Sequence, residues 1–197
     1  MFERQKEYYT PEEYLALEET ADYRSEYYRG EIFAMSGGSA NHNRIARNVL
    51  TTLSIAFEDK PCEAFITDMR LLVKENGLYT YPDIMVVCGG LEFVEGRTDT
   101  LTNPIVIVEV LSQSTEGYDR GAKFELYRAL ETLQDYVLID QAKVHVECFH
   151  KMKDGRWILT EFNELEATLQ LEAVGVDISL SQIYRRVEWE SKTMSGE

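Results

Sequence analysis

Two short apolar segments in the middle of the chain each carry one carboxylate where a buried strand ordinarily carries none. They read Tyr81-Pro82-Asp83-Ile84-Met85-Val86-Val87 and Ile105-Val106-Ile107-Val108-Glu109-Val110-Leu111. Both are rich in β-branched residues and bounded by Gly, Asn and Pro, the pattern of core strands. Successive side chains on a strand point to opposite faces. Glu109 therefore shares a face with Ile107 and Leu111, and Val106, Val108 and Val110 take the other. Asp83 shares a face with Tyr81 and Met85. An ionised carboxylate is costly to bury unless it is paired or binds a metal. Two of them on neighbouring strands are placed to share one divalent cation.

A helical period follows from Tyr118 to Leu130, expected to run to about Glu131. Lys123 precedes Leu126 by three residues, Tyr127 by four and Leu130 by seven, so it lies on the inward face. That makes Lys123 a candidate for the same pocket. The plainer alternative is a buried ion pair of Lys123 with these acids that fixes the fold and binds nothing.

Several pieces recur in an order that resembles a known group. They are Pro82-Asp83, then Glu109-Val110-Leu111-Ser112-Gln113-Ser114-Thr115, then Asp119-Arg120-Gly121-Ala122-Lys123-Phe124, then Asp135 to Asp140. Upstream, Glu26-Tyr27-Tyr28-Arg29-Gly30-Glu31 and Asn41-His42-Asn43 match as well. The chain resembles the PD-(D/E)XK phosphodiesterase superfamily and, more closely, its Uma-type endonuclease family, from roughly Tyr9 to Arg186. The resemblance implies an α/β (α+β) fold with a restriction-endonuclease-like core: a central mixed β-sheet flanked by helices, with added N- and C-terminal β-hairpins. It implies catalytic roles for Asp83, Glu109 and Lys123, and an auxiliary acid at Glu26. The superfamily's usual Lys, two residues after the acid, falls at Leu111, so Lys123 is expected to have taken over its task.

Length and charge bound the reading. A chain of 197 residues is expected to form one domain, here residues 1–187, followed by a frayed polar tail over 188–197. No apolar run approaches the roughly 20 residues of a membrane helix, and the start lacks a secretory h-region. A cytoplasmic location is therefore expected. Cys62, Cys88 and Cys148 show no zinc spacing and are expected to be reduced thiols, mostly buried. The net charge of −15 argues against tight nucleic-acid binding, because such proteins usually carry a basic footprint.

The remaining segments divide as follows. Thr10-Pro11-Glu12-Glu13 opens a helix with a capping box. Arg24 to Met35 forms two strands around Arg29-Gly30. Glu26 on the first of these is, in the commoner reading, an exposed residue pairing with an Arg across the ladder. Ser36-Gly37-Gly38-Ser39 lacks the Lys and spacing of a phosphate loop and is expected to be a connector. A helix follows from Asn41 to Phe57, with Ile45, Val49, Leu53, Ala56 and Phe57 on one stripe. His42 at its start either faces the cleft or makes a local hydrogen bond. Arg44 and Arg47, with Arg120, are candidates for nucleic-acid contact, and a solvated helix face accounts for the first two equally well. Cys62 to Val73 and Tyr79 to Cys88 each read as one strand, separated from the Glu109 strand by a polar loop over Leu91 to Asn103. Strands are expected at Tyr136 to Asp140, Val144 to His150, Trp157 to Phe162 and Leu169 to Val174, then a short helix from Leu180 to Arg186. Asp154-Gly155 is a hairpin turn. His145 and His150 differ in parity and point to opposite faces.

The expected activity is hydrolysis of phosphodiester bonds, in DNA first of all, by a water activated on Mg²⁺, for which Mn²⁺ can substitute. The ion's ligands are expected to be Asp83, Glu109 and the Val110 carbonyl. DNA binding should be weak and metal-assisted, and the Tyr-rich edges suggest a homodimer. The competing class is a nuclease fold that has lost activity and serves as an interaction module.

Overall fold

The computed structural model describes residues 8–113 and 115–189. Ser114 and the tail from residue 190 onward lie outside the described residues. Thr10 caps helix α1 (Pro11–Glu18): its hydroxyl accepts from the Glu13 N–H, and the Glu13 carboxylate accepts from the Thr10 N–H. Strands β1 (Ser25–Tyr28) and β2 (Glu31–Ala34) pair antiparallel. Arg29 and Gly30 between them both have positive φ, 49° and 87°, the turn whose twist matches the flanking strands. Helix α2 (Ala40–Ala56) starts at Ser39, whose hydroxyl accepts from the His42 N–H.

The chain then runs through β3 (Cys62–Ile66), β4 (Arg70–Val73), β5 (Leu78–Thr80), β6 (Ile84–Cys88), β7 (Thr100–Leu101) and β8 (Val106–Leu111). Next come α3 (Glu116–Tyr118), a π-helical turn (Asp119–Lys123) and α4 (Phe124–Tyr127). Strands β9 (Asp135–Asp140), β10 (Val146–Lys151), β11 (Trp157–Phe162), β12 (Thr168–Leu171) and β13 (Val176–Ser179) precede α5 (Leu180–Ile183).

The central sheet has six strands in the order β11-β10-β9-β8-β6-β3, with β8 and β9 parallel and the other neighbours antiparallel. It is the mixed sheet that the sequence predicts. The alternation along β8 assigns its two faces. Val106, Val108 and Val110 pack with Ile45, Val49 and Leu53 of α2, while Ile107 and Leu111 pack with Tyr127, Leu130 and Tyr136 on the other side. The hairpins β1–β2 and β10–β11 are the expected additions, and β12–β13 is a further one.

The structure corrects several expectations. The segment from Cys62 to Val73 is two strands, because Met69 N–H bonds back to Ile66 O and turns the chain from the central sheet into a second, five-stranded one. The segment from Tyr79 to Cys88 is likewise split. Pro82 has no N–H to give a ladder, so pairing stops at Thr80 and resumes at Ile84 in the other sheet. The loop over Leu91 to Asn103 ends in β7, which pairs parallel with β4. The expected strand from Leu169 to Val174 is the first arm of the β12–β13 hairpin. The Lys123 helix ends at Tyr127, not near Glu131. Glu188, placed in the frayed tail, is tied to α2: its carbonyl accepts from Asn41 Nδ2 at 2.7 Å and its carboxylate meets Arg44 at 3.2 Å.

Cys62 and Cys88 are not free thiols. They sit opposite each other in the β3–β6 register and form a disulfide, while Cys148 is free and buried. Their separation of 26 residues hides the pairing from any spacing rule. Under denaturing conditions without reductant a thiol reagent should therefore titrate one cysteine of the three. All three should react after reduction, and stability should fall by about 3 kcal/mol through the lost loop constraint. Three reactive thiols before reduction would contradict the pairing.

Candidate active site

Where β6 and β8 run side by side, Asp83 falls opposite Glu109, one step beyond the Ile84–Val108 pair. Asp83 Oδ2 accepts from the Val110 N–H at 2.7 Å, and the Asp83 N–H lies 3.4 Å from Glu109 Oε2. Two further elements close on this pair. From the π turn, Lys123 Nζ lies 2.9 Å from Glu109 Oε1, 3.1 Å from Glu26 Oε1 and 3.6 Å from Asp119 Oδ1. From the start of α2, His42 Nε2 lies 3.0 Å from Asp83 Oδ2. His42 thus faces the acids.

Glu26 is not the exposed strand residue of the commoner reading. It is buried, accepts from the Thr80 hydroxyl and pairs with Lys123, not with an Arg. Strand β1 pairs with β5 on one side and β2 on the other, which turns Glu26 and Thr80 toward the same interior.

Four carboxylates, Glu26, Asp83, Glu109 and Asp119, thus surround one lysine and one histidine. Burial opposes every charge in such a cluster. It drives the Glu109 carboxyl well up, with Lys123 pulling the other way and the charges of Asp83 and Asp119 adding to the rise. Burial raises Asp119 too, against the pull of Lys123. Lys123 stays an ammonium: burial pulls it down, but Glu109, Tyr127, Glu26 and Asp119 hold it well above its ordinary value. Burial also lowers His42, and the hydrogen bond to Asp83 together with the charges of Asp83 and Asp119 more than restores it, so the imidazole is raised.

A family profile described as "Uma2: Putative restriction endonuclease" matches residues 11–182. The chain belongs to the Uma2 family. Two Synechocystis sp. proteins are similar to it. The first, sll1609, is 43% identical over 152 residues, covering 77% of this chain and 86% of its own. The second, slr1290, is 37% identical over 176 residues, covering 89% and 91%. A crystal structure titled as a putative nuclease belonging to DUF820, from Anabaena variabilis, superposes with a TM-score of 0.73 at 19% identity, covering 89% of this chain and 97% of that one. That likeness establishes the fold.

In this Uma2 chain, two of the three residues proposed for nucleic-acid contact are occupied by acids. Arg120 bonds Glu116 and Glu147, each at 2.8 Å, and Arg44 bonds Glu188. Arg47 is exposed and reaches the Asn48 side chain. Leu111 is buried among apolar neighbours on the Glu109 face, so the position of the superfamily's lysine carries no charge.

Sequence reasoning missed Asp119 and Tyr127. The spacing 119, 123, 127 is a signal, but a straight helix advances about 100° per residue and would fan these three over about 80°. The π turn over Asp119–Lys123 holds one extra residue and offsets part of that drift.

Among the described residues, no three His, Cys, Asp or Glu side chains converge on one point as a closed metal cage. A hard cation such as Mg²⁺ takes only one or two carboxylates and keeps several waters. The all-oxygen pair Asp83 and Glu109 fits that demand, in a cluster with more carboxylates than cationic groups. Val110 adds a backbone carbonyl, since its N–H already faces Asp83 and both peptide groups of a strand residue point to the same edge.

The connector before α2 has a steric task. A Cβ on Gly38 would fall 2.6 Å from His42 Nδ1, whereas one on Gly37 would meet nothing. Gly38→Ala should therefore push the His42 ring off Asp83 and cost about 1–3 kcal/mol. Gly37→Ala should melt like the wild type. Equal melting of the two variants would contradict the packing.

Proposed function

We propose that this chain is a Mg²⁺-dependent nuclease that hydrolyses phosphodiester bonds in DNA by an activated water. One observation carries the reading: Asp83, Glu109 and Lys123 come from three separate elements and meet, with the ammonium 2.9 Å from the Glu109 carboxylate. Asp83, Glu109 and the Val110 carbonyl would hold the ion. When bound, Mg²⁺ supplies Lewis acidity to the scissile phosphate and acidifies a nearby water.

The protein supplies the rest. Lys123 takes the place of the lysine absent at Leu111 and approaches Glu109 from the helix side. Its three N–H donors face three carboxylates, of which Asp119 at 3.6 Å is the most distant. That is the contact a phosphate oxygen or a water displaces, and the fixed ammonium then stabilises charge building on phosphorus. His42 and Glu26 act as auxiliaries, His42 by orienting Asp83 and Glu26 by anchoring Lys123. With a net charge of −15 and two of its candidate arginines already paired, the protein binds DNA weakly and with metal assistance, and its affinity falls steeply with salt.

The test is incubation of purified protein with plasmid and single-stranded DNA, in Mg²⁺ or Mn²⁺ and in EDTA. Cleavage in the presence of metal alone is expected. Equal cleavage in EDTA, or none with either metal, would overturn the proposal.

A further inference from the structure

We infer that Tyr127 is the positioning residue of the Glu109 carboxylate, holding Oε1 so that Oε2 alone is turned toward Asp83 and a cation between them. The inference rests on the metal-dependent reading of the site and adds to it the group that decides the orientation of one ligand.

Two donors converge on a single oxygen. Lys123 Nζ and the Tyr127 hydroxyl both donate to Glu109 Oε1, each at 2.9 Å. A carboxylate oxygen offers about two lone-pair sites, so this pair saturates Oε1. Among the described residues, Oε2 has only the long 3.4 Å contact with the Asp83 N–H, and it lies on the Asp83 side. A cation placed there meets one oxygen of Glu109 in a fixed direction.

Of the two donors, the tyrosine sets the direction. A lysine ammonium on a four-carbon stem can follow either oxygen if the carboxylate rotates. The Tyr127 ring cannot. It is fully buried, stands edge-on to Tyr136 at 5.5 Å, and brings its hydroxyl within 3.5 Å of Thr80 Oγ1. It follows Lys123 by four residues, one α-helical turn along the same face. Outer partners that orient a ligating group typically contribute 10–100-fold to metal affinity.

The test uses Tyr127→Phe, which removes one oxygen and keeps the ring. Tyr14→Phe is the control: Tyr14 is equally buried, and its hydroxyl donates to Ser25 O at 2.6 Å in a separate aromatic cluster. Mn²⁺ is titrated calorimetrically into the wild type and both variants, with thermal melts alongside. Tyr127→Phe should weaken Mn²⁺ binding by about 10-fold or more. Tyr14→Phe should lower Tm and bind Mn²⁺ as the wild type does. If Tyr127→Phe binds Mn²⁺ with wild-type affinity, the positioning role is wrong while the metal site stands. If the wild type takes up no Mn²⁺, the metal reading fails and this inference falls with it.

Discussion

Lys123→Met should abolish DNA cleavage and melt well below the wild type. Met keeps the long apolar stem, so the packing against Tyr127 survives. The sequence alone therefore predicts little change in stability, and the structure reverses that expectation. Removing the ammonium strands Glu26, Glu109 and Asp119 together in a buried space. Breaking a buried ion pair by deleting one partner costs about 3–5 kcal/mol. Added Mn²⁺ should raise the Tm of this variant more than that of the wild type, because the ion replaces part of the lost positive charge. Adding Leu111→Lys returns an ammonium to the Glu109 face from within β8, and it should restore some cleavage. The rescue should be partial, because a new charge at Leu111 enters an apolar cluster. If Lys123→Met cleaves at the wild-type rate, Lys123 is a structural ion-pair partner and the catalytic assignment is wrong.

Glu109→Gln should separate metal binding from folding. The amide keeps the shape of the side chain, and its oxygen still accepts from Lys123 and from the Tyr127 hydroxyl. Lys123 retains Glu26 and Asp119 as counter-charges. Tm should therefore stay near the wild-type value. Mn²⁺ loses one of two charged ligands, so binding and cleavage should both disappear. Melting and calorimetry on the same preparation check the two halves together, and a variant that binds Mn²⁺ normally would remove Glu109 from the site.

The parts of the fold legible in the sequence are those governed by strict periodicity. The two-residue repeat along Val106–Leu111 assigned Glu109 to the face of Ile107 and Leu111, and the structure places each side chain there. The four residues from Lys123 to Tyr127 gave the inward face of the helix for the same reason, although the helix ends before Leu130. Less legible were features that depend on partners distant along the chain. Glu26 looks like an exposed strand residue until β5 and the π turn bring Thr80 and Lys123 to it. Cys62 and Cys88 meet only because β3 and β6 pair in one register. Asp119 precedes Lys123 by four residues, and its burial beside the lysine depends on packing that a local period does not show. The break at Pro82 was visible in principle. Apolar residues on both sides made one strand of what is a crossing between two sheets, and that crossing is what turns Asp83 toward Glu109.

The most direct measurement of the central claim is a calorimetric titration of Mn²⁺ into the wild type and Glu109→Gln, side by side, at matched Tm. The account predicts saturable binding to the wild type and no heat from the variant. Equal heats from both proteins, or none from the wild type, would contradict it.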